Sequence, residues 1–545
     1  MKKFRIRILS SLLLCCLMMA QLVSCDEIDL DFLLDDEPTL EDLNPQVESS
    51  YTIPIYKMFE ELLEDVSGGN DPQSEGLAQW IRSSMDALYR QAEEIAQADA
   101  ASQDDGGNSL FPAIEAILEN VLLEARVLSY NTLGADGRKI SSSMLVAWPW
   151  RPFPKINPNP DHIVLGCHAT VTSDKERPSN YENLDVATDV RIIVGQWASS
   201  NIVLGLITAI YDIIKDPVMC LVVMPDYEGY GSTRNKPHPY LNREVQARQC
   251  VDAAQAAYLW YEENEKSMQD GFKTVSLGYS QGGAIAAASY RYWLEHKTRY
   301  KSLNFSGAVC GDGPYDPYAT LQFYVKRNEM EMPCAPALVI KGMMDSDREM
   351  KQAGGKLEDY LTEGFIKTGI FEGIAAKDKG TGTLDDMVVN YAKAHPDELK
   401  LNSKNHVLAE SVLLPDVFAF FKDGTLPADP DRAAKIQLLK HCLRKNALNY
   451  KSDTQDWTPP AGARFTFFHS PLDGVVPEAN LNSVKDSWGK SSPACRYVKY
   501  GADIDSHSSI GTQFMLVDMP GEVYLLLEDD WKSNSVTITD VQWTP

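Results

Sequence analysis

A serine hydroxyl attacks a carbonyl only when something takes its proton. The pentapeptide Gly278-Tyr279-Ser280-Gln281-Gly282 has the G-x-S-x-G pattern that exposes such a hydroxyl on a tight strand-to-helix turn. Three fixed positions arise by chance in roughly one in five chains of this length, so the flanks decide. They agree with the motif: the apolar run Phe272 to Leu277 reads as a strand leading in, and Gly282, Gly283, Ala284 and Ala286 to Ala288 open a helix of small residues that lets the turn approach its neighbours. A carboxylate and a base should follow, in the order Ser, Asp/Glu, His. Asp473, in His469-Ser470-Pro471-Leu472-Asp473, stands in a loop just past an apolar strand, and His507 stands beyond the next one. This makes Asp473 the acid and His507 the base. Asp345, after the apolar segment Ala337 to Ile340, is the rival acid; it is disfavoured because a strand and a helix must separate the acid from His507. His469 reads as structural, and His238, His296, His395 and His441 fall on the wrong side in chain order or in the middle region. The backbone N–H of Gln281 supplies one donor to the oxyanion, and the second should come from the loop after the third strand.

These residues need a scaffold that brings several loops to one end of a sheet. Val127 to Thr132 and Ile140 to Trp148, separated by Gly134-Ala135-Asp136-Gly137, read as a hairpin at a sheet edge. Short apolar runs then alternate with helical stretches: strands at His162 to Cys167, Met219 to Pro225, Phe272 to Leu277 and Phe305 to Cys310, helices at about 184–214, 243–264 and 281–297. That alternation is the signature of βαβ units, so the expected class is α/β, a mainly parallel sheet flanked by helices. The rhythm stops over 317–458, which reads as an inserted, mostly helical cap, and strands return at Ala463 to Phe468 and Arg496 to Tyr500. Upstream, Leu77, Trp80, Ile81, Met85, Leu88, Ala92 and Ile95 recur at helical steps and predict a helix over 77–97, with a second near 111–121. The expected organisation is a leader (1–24), an acidic tether (25–48), a helical N-terminal extension (49–124), a core in two parts (125–316 and 459–545) and the cap between them.

The loop Gly166-Cys167-His168-Ala169-Thr170 resembles the H-G-x oxyanion loop of α/β-hydrolases with Ala169 in the glycine position. That resemblance makes Thr170 the second oxyanion donor and His168 a residue that shapes the loop. Pro225-Asp226-Tyr227-Glu228-Gly229-Tyr230-Gly231 resembles the P-D-Y-x-G-x-G loop of secreted lipase-like α/β-hydrolases. Together with the Tyr-Ser-Gln-Gly-Gly elbow, the large insertion and the His-Ser-x-x-Asp acid loop, residues of about 125–515 resemble the secretory lipase family of cap-bearing fungal and bacterial enzymes. The resemblance implies an α/β-hydrolase fold, hydrolysis of carboxylic esters, a helical cap shaping the acyl pocket, and no cofactor. The chain carries no H-E-x-x-H, no Asp-rich calcium loop and no Walker or dinucleotide glycine motif, so no metal or nucleotide is expected. In the cap, Met332, Met343, Met344, Met350, Phe323, Tyr324 and Phe365 either line the acyl pocket or simply pack the cap. Two further readings stay open. A serine peptidase would use the same triad, but the prolyl-oligopeptidase type carries an N-terminal β-propeller for which the stretch before the hairpin is too short. A non-catalytic surface lipoprotein binding glycans or lipids predicts a broken triad, and none is broken.

Lys2, Lys3, Arg5 and Arg7 precede the apolar run Ile8 to Ala20, which is too short to span a bilayer and has the charge layout of a secretory signal. It ends in Leu22-Val23-Ser24-Cys25, which resembles the lipobox of bacterial lipoproteins. This implies cleavage before Cys25, lipidation of Cys25, and a lipid anchor in the outer membrane of a Gram-negative cell envelope, periplasmic or surface-exposed. The acidic, Pro-containing stretch Asp26 to Glu48 reads as a solvated tether. With 51 Lys plus Arg against 77 Asp plus Glu the net charge is −26, and removing four basic residues with the leader gives 47 − 77 = −30. Nucleic acid is therefore excluded as a partner, and membrane attachment rests on Cys25 rather than on attraction to anionic lipid. The expected partner is a small-molecule or polymer-linked ester. Cys167, Cys220, Cys250, Cys310, Cys334, Cys442 and Cys495 are odd in number and lack C-x-x-C pairs, so they read as mainly buried thiols.

Overall fold

The computed structural model describes residues 36–54, 122–150, 160–180, 220–501 and 507–538. The apolar runs pair into one ten-stranded sheet. Its strands are β1 (Gln46–Pro54), β2 (Leu122–Leu133), β3 (Lys139–Trp150), β4 (His162–Cys167), β5 (Cys220–Pro225), β6 (Lys273–Tyr279), β7 (Phe305–Gly311), β8 (Phe465–His469), β9 (Cys495–Tyr500) and β10 (Ser535–Ile538). They stand in the order β1-β2-β3-β5-β4-β6-β7-β8-β9-β10. From β1 through β3 to β5 neighbours run antiparallel, and from β5 to β10 they run parallel. Parallel strands are covered on both faces, which is why β5 (CLVVMP) reads as an unbroken apolar run and every one of its residues is buried. Helices α1 (Arg243–Asn264) and α2 (Gln281–Glu295) pack on each other and on the sheet. Ala247, Ala253, Ala254, Ala256 and Ala257 on α1, with Ala284 and Ala286 to Ala288 on α2, are buried, and such short side chains let both helices approach the strands closely.

The hairpin β2–β3 is not at the edge. β1 pairs outside it, from Gln46↔Ser129 to Pro54↔Leu122. The acidic segment 25–48 is correspondingly not a tether throughout. Residues Leu40–Leu43 form a helical turn closed by a capping box between Thr39 and Asp42, Leu43 is fully buried, and Glu37 accepts from the Ser302 backbone N–H at 2.7 Å. One leucine in register, with a cap behind it, docks an acidic stretch whose composition alone reads as solvated. The stretch expected to be helical over 49–124 is strand at both described ends, 49–54 and 122–124. The leader, Cys25 and the helices expected over 77–97, 111–121 and 184–214 lie outside the described residues. The seven cysteines named above are free thiols, all buried. Among the described residues no helix is long and apolar enough to cross a membrane.

Between β7 and β8 the chain folds into helices, chiefly α3 (Pro317–Arg327), α4 (Cys334–Ser346), α5 (Thr381–Ala394), α6 (Pro415–Asp423) and α7 (Pro430–Lys445). Asp316 caps α3 by accepting from the N–H groups of Tyr318 and Ala319 at 3.0 and 3.1 Å, with Pro317 at the first helical position, where its missing N–H costs nothing. Lys377 staples this layer to the core. Its ammonium donates to the backbone carbonyls of Gly229, Arg234 and Lys236, its own carbonyl accepts from the Asp174 N–H at 2.9 Å, and Thr172 Oγ1 donates to the Lys379 carbonyl at 2.7 Å. The loops after β4 and β5 are thereby tied to the cap. After β8 come α8 (Ala479–Trp488), then α9 (His507–Gln513), which runs through a π turn at Phe514–Asp518 into α10 (Met519–Leu527).

Candidate active site

Ser280 sits between β6 and α2 with φ 56° and ψ −125°, a left-handed backbone that a β-carbon makes costly. The turn survives because its flanks have no side chains. A Cβ on Gly282 would lie 2.0 Å from the Cys167 carbonyl oxygen, and one on Gly278 2.5 Å from the same atom, so β4 and the elbow touch backbone to backbone. The Ser280 N–H donates to the Gly311 carbonyl at 2.9 Å, fixing the turn to the end of β7.

Asp473 and His507 arrive at the same place from two other loops. Ser280 Oγ lies 2.9 Å from His507 Nε2, and His507 Nδ1 lies 2.6 Å from Asp473 Oδ2. The second oxygen of Asp473 accepts from the N–H groups of Val475 and Val476, both at 2.8 Å, so the carboxylate cannot swing away from the ring. Its side chain is fully buried while His507 remains slightly open to solvent. Burial works against a charged imidazole, but the charge and hydrogen bond of Asp473, aided by Asp312 and Glu331, outweigh it and hold His507 above its ordinary value of 6.5. Tyr279 braces the ring from behind: its hydroxyl donates to the His507 carbonyl at 2.5 Å, and the two rings lie 4.9 Å apart.

A second carboxylate–imidazole pair stands beside the first. Asp312, at the end of β7 and at φ 31°, bonds His469 Nδ1 at 2.5 Å through one oxygen and accepts from the Ser470 N–H at 3.2 Å through the other. It thus anchors the start of the loop that carries Asp473. Burial pushes its carboxyl up to about 6, against the opposing pull of His469. His469 is structural, as its strand-end position suggests. Asp312 itself is not reached by sequence reasoning, although Cys310-Gly311-Asp312-Gly313 shows the same signal as Asp473, an acid just past an apolar strand. Asp345 is no rival: it lies on α4, paired with Lys341 one turn away, and Ala337 to Ile340 is helix, not strand.

Gln281 is the first residue of α2, where a backbone N–H has no intrahelical acceptor. Its side chain is buried, with Nε2 3.1 Å from His238 Nε2. Burial drives His238 down to about 3, so the ring is neutral; with its proton on Nδ1 it donates to the Glu228 carbonyl at 2.7 Å and accepts from Gln281. His168 is likewise pushed down by burial, to about 4, and stacks on Tyr227 at 3.9 Å, a role in shaping the loop. Thr170 lines the same pocket as Ser280, with Oγ1 2.8 Å from the Tyr240 hydroxyl.

That pocket is a narrow slot with a cavity volume of about 50 Å³. Its far wall is carbon: Leu321 on α3, Pro336, Val339 and Ile340 on α4, and Leu443 on α7. Of the cap residues expected either to line a pocket or to pack the cap, Tyr324 and Met332 line it, whereas Met343, Met350 and Phe365 are buried in the core. Cys25 lies outside the described residues. Among those residues no group of three or more His, Cys, Asp or Glu is placed to hold a metal ion.

No protein-family model matches the chain, and no curated protein sequence does. Among solved structures, the rice cell wall degrading esterase LipA from Xanthomonas oryzae is similar at 19% identity and a TM-score of 0.52, over 77% of this chain and 95% of that one. Lipase A of Candida antarctica is similar at 15% identity and a TM-score of 0.46, over 78% of this chain and 83% of that one, too weak a likeness to carry an argument. With the mostly parallel sheet flanked by helices, the LipA likeness shows the α/β-hydrolase fold.

Proposed function

We propose that the protein is a serine carboxylic-ester hydrolase, a lipase or esterase, that works through an acyl-enzyme. The observation that carries this reading is the unbroken chain from Asp473 through His507 to Ser280, 2.6 and 2.9 Å long, ending in an apolar slot. Ser280 Oγ attacks the ester carbonyl while His507 Nε2 takes its proton, and Asp473 holds the ring with its other proton on Nδ1 and stabilises the imidazolium. The backbone N–H groups of Gln281 and Thr170 receive the oxyanion. His507 then returns its proton to the leaving alkoxide, and water, activated by the same ring, releases the acid. The carbon wall of the cap receives the acyl chain, as expected for a site that binds an apolar group and fixes it with few polar ones. The likeness to an esterase supports the same reading.

The direct test is covalent labelling with a fluorophosphonate followed by peptide mass spectrometry. A label on Ser280, absent in Ser280→Ala, is expected; an unlabelled Ser280 in folded protein overturns the assignment. A chain-length series of p-nitrophenyl esters, run beside acetylated and feruloylated glycans, identifies the acyl group. The lipobox-like Leu22-Val23-Ser24-Cys25 supports a lipid anchor on a cell-envelope protein. Metabolic labelling with a fatty-acid probe should mark wild type and not Cys25→Ala.

A further inference from the structure

An oxyanion hole works only if its N–H groups aim at one point, yet the two donors here ride on different loops, Thr170 after β4 and Gln281 after β6. A third loop, the one after β5, takes hold of both. His238 Nε2 accepts from the Gln281 side-chain amide at 3.1 Å, and two residues on the Tyr240 hydroxyl meets Thr170 Oγ1 at 2.8 Å. The Tyr240 N–H donates to the His238 carbonyl at 2.9 Å, so the two grips are joined by a three-residue turn around Pro239, whose ring fixes its own φ. Any change in the distance between the grips would have to break this turn.

The segment is itself held from two directions. From the core, the His238 ring donates through Nδ1 to the Glu228 carbonyl and lies 5.0 to 6.2 Å from the rings of Tyr227, Tyr230 and Tyr240, while a Cβ on Gly229 would come within 2.8 Å of the His238 Cα. From the cap, a Cβ on Gly342 of α4 would lie 2.8 Å from the Tyr240 nitrogen, and Asn242 Nδ2 donates to Ser346 Oγ at 3.1 Å. Leu241, between these contacts, stands at φ 55°, a left-handed backbone that persists only where the surroundings enforce it. Gln281 carries a cost as well: its Oε1 is buried and has no partner among the described residues. A glutamine kept against folding stability is expected where its amide serves the reaction. Resting on the serine-hydrolase reading above, we infer that His238 and Tyr240 are positioning residues that set the separation and aim of the two oxyanion donors, His238 through the Gln281 side chain and Tyr240 through that of Thr170.

The test reads turnover of p-nitrophenyl butyrate by the full protein, beside inhibition by hexyl trifluoromethyl ketone, whose tetrahedral adduct with a serine places an oxyanion in the hole. Removing a donor outright costs about 10²–10³-fold in kcat, so loosening one should cost about tenfold. Tyr240→Phe, which deletes one oxygen, should show that fall with KM within about threefold of wild type, and should weaken the ketone by the same factor as kcat. His238→Leu should do likewise, and His238→Gln, which restores an acceptor near the Nε2 position, should recover most of the loss. Gln281→Met keeps the backbone N–H and drops the amide; kcat should fall about tenfold while the melting temperature holds or rises, a pairing that a merely structural role would not produce. Should His238→Leu fail to fold, Tyr240→Phe and Gln281→Met decide the matter. Wild-type turnover in Ser280→Ala would remove the serine-hydrolase reading and the inference with it. If Ser280→Ala is inactive but folded Tyr240→Phe and Gln281→Met keep the wild-type kcat, or change KM in place of kcat, the inference alone is overturned.

Discussion

The two walls facing Ser280 are built of different chemistry. On the sheet side, Ser280, Asp473 and His507 come from the loops after β6, β8 and β9 respectively, and each reacting atom is held by another: Oγ by Nε2, Nδ1 by Oδ2, and Oδ1 by two backbone N–H groups. On the cap side, α3, α4 and α7 present mainly carbon. Positions fixed by hydrogen bonds to strand ends cannot shift without loss of reaction geometry, whereas a carbon wall can be reshaped one methylene at a time. The sheet side should therefore control rate and the cap side choice of substrate.

The sharpest way to break this comparison lies on the sheet side. Ser280→Ala should lower ester turnover by on the order of 10⁶-fold, the loss expected when the nucleophile of such a triad is removed, with the melting temperature nearly unchanged. Asp473→Asn keeps the shape but frees His507 to take the wrong tautomer, and should cost about 10⁴-fold in kcat with little change in KM. Equal, small losses from the two variants would mean that the chain from Asp473 to Ser280 is not the reacting set.

The cap side should answer in specificity. Val339→Trp fills part of the slot, and an added or missing methylene in an apolar pocket changes discrimination by about 10–200-fold. Expected is a fall of at least tenfold in kcat/KM for octanoyl esters with acetyl esters within about threefold of wild type, read from a p-nitrophenyl ester series. A uniform fall across the series would place Val339 in the reaction geometry instead and erase the distinction between the walls.

The same contrast governs what could be read from the chain. The sheet-side residues were legible because each is announced by local physics: an apolar strand, then a residue that the fold exposes at its end. Gly278, Ser280 and Gly282 carry the elbow in five positions, and Asp473 and His507 follow two later strands, β8 and β9, in order. The cap wall is not local. Leu321, Val339 and Leu443 meet only because three helices pack together, and their sequence pattern is that of any buried helix face. β1 was hidden for another reason: Gln46-Val47-Glu48-Ser49-Ser50 is mostly polar, and its pairing with β2 rests on backbone hydrogen bonds that leave no mark in side-chain period. Asp312 shows the signal of an acid at a strand end, but chain order offers two such places after the elbow, and only the fold shows that this one holds His469 and the acid loop.

The smallest expected effects separate the walls by electrostatics. His507 must be neutral to accept the Ser280 proton, so kcat/KM rises with pH through its pKa, and the acid limb should lie above 6.5 in wild type because Asp473, Asp312 and Glu331 favour the charged ring over the opposing effect of burial. Removing a negative neighbour favours the neutral ring and moves the limb to lower pH. Asp312, on the sheet side, contributes more than Glu331, which reaches over the acid loop from the cap. Asp312→Asn should therefore move the limb further than Glu331→Gln. The Asp312 carboxyl is itself pushed up to about 6, so its charge acts fully only above that pH, and the wild-type and Asp312→Asn profiles should converge below it. Glu331→Gln should move the limb only slightly to lower pH. If Glu331→Gln shifts the limb more than Asp312→Asn does, the field at His507 is set by the cap, and the assignment of rate control to the strand ends fails.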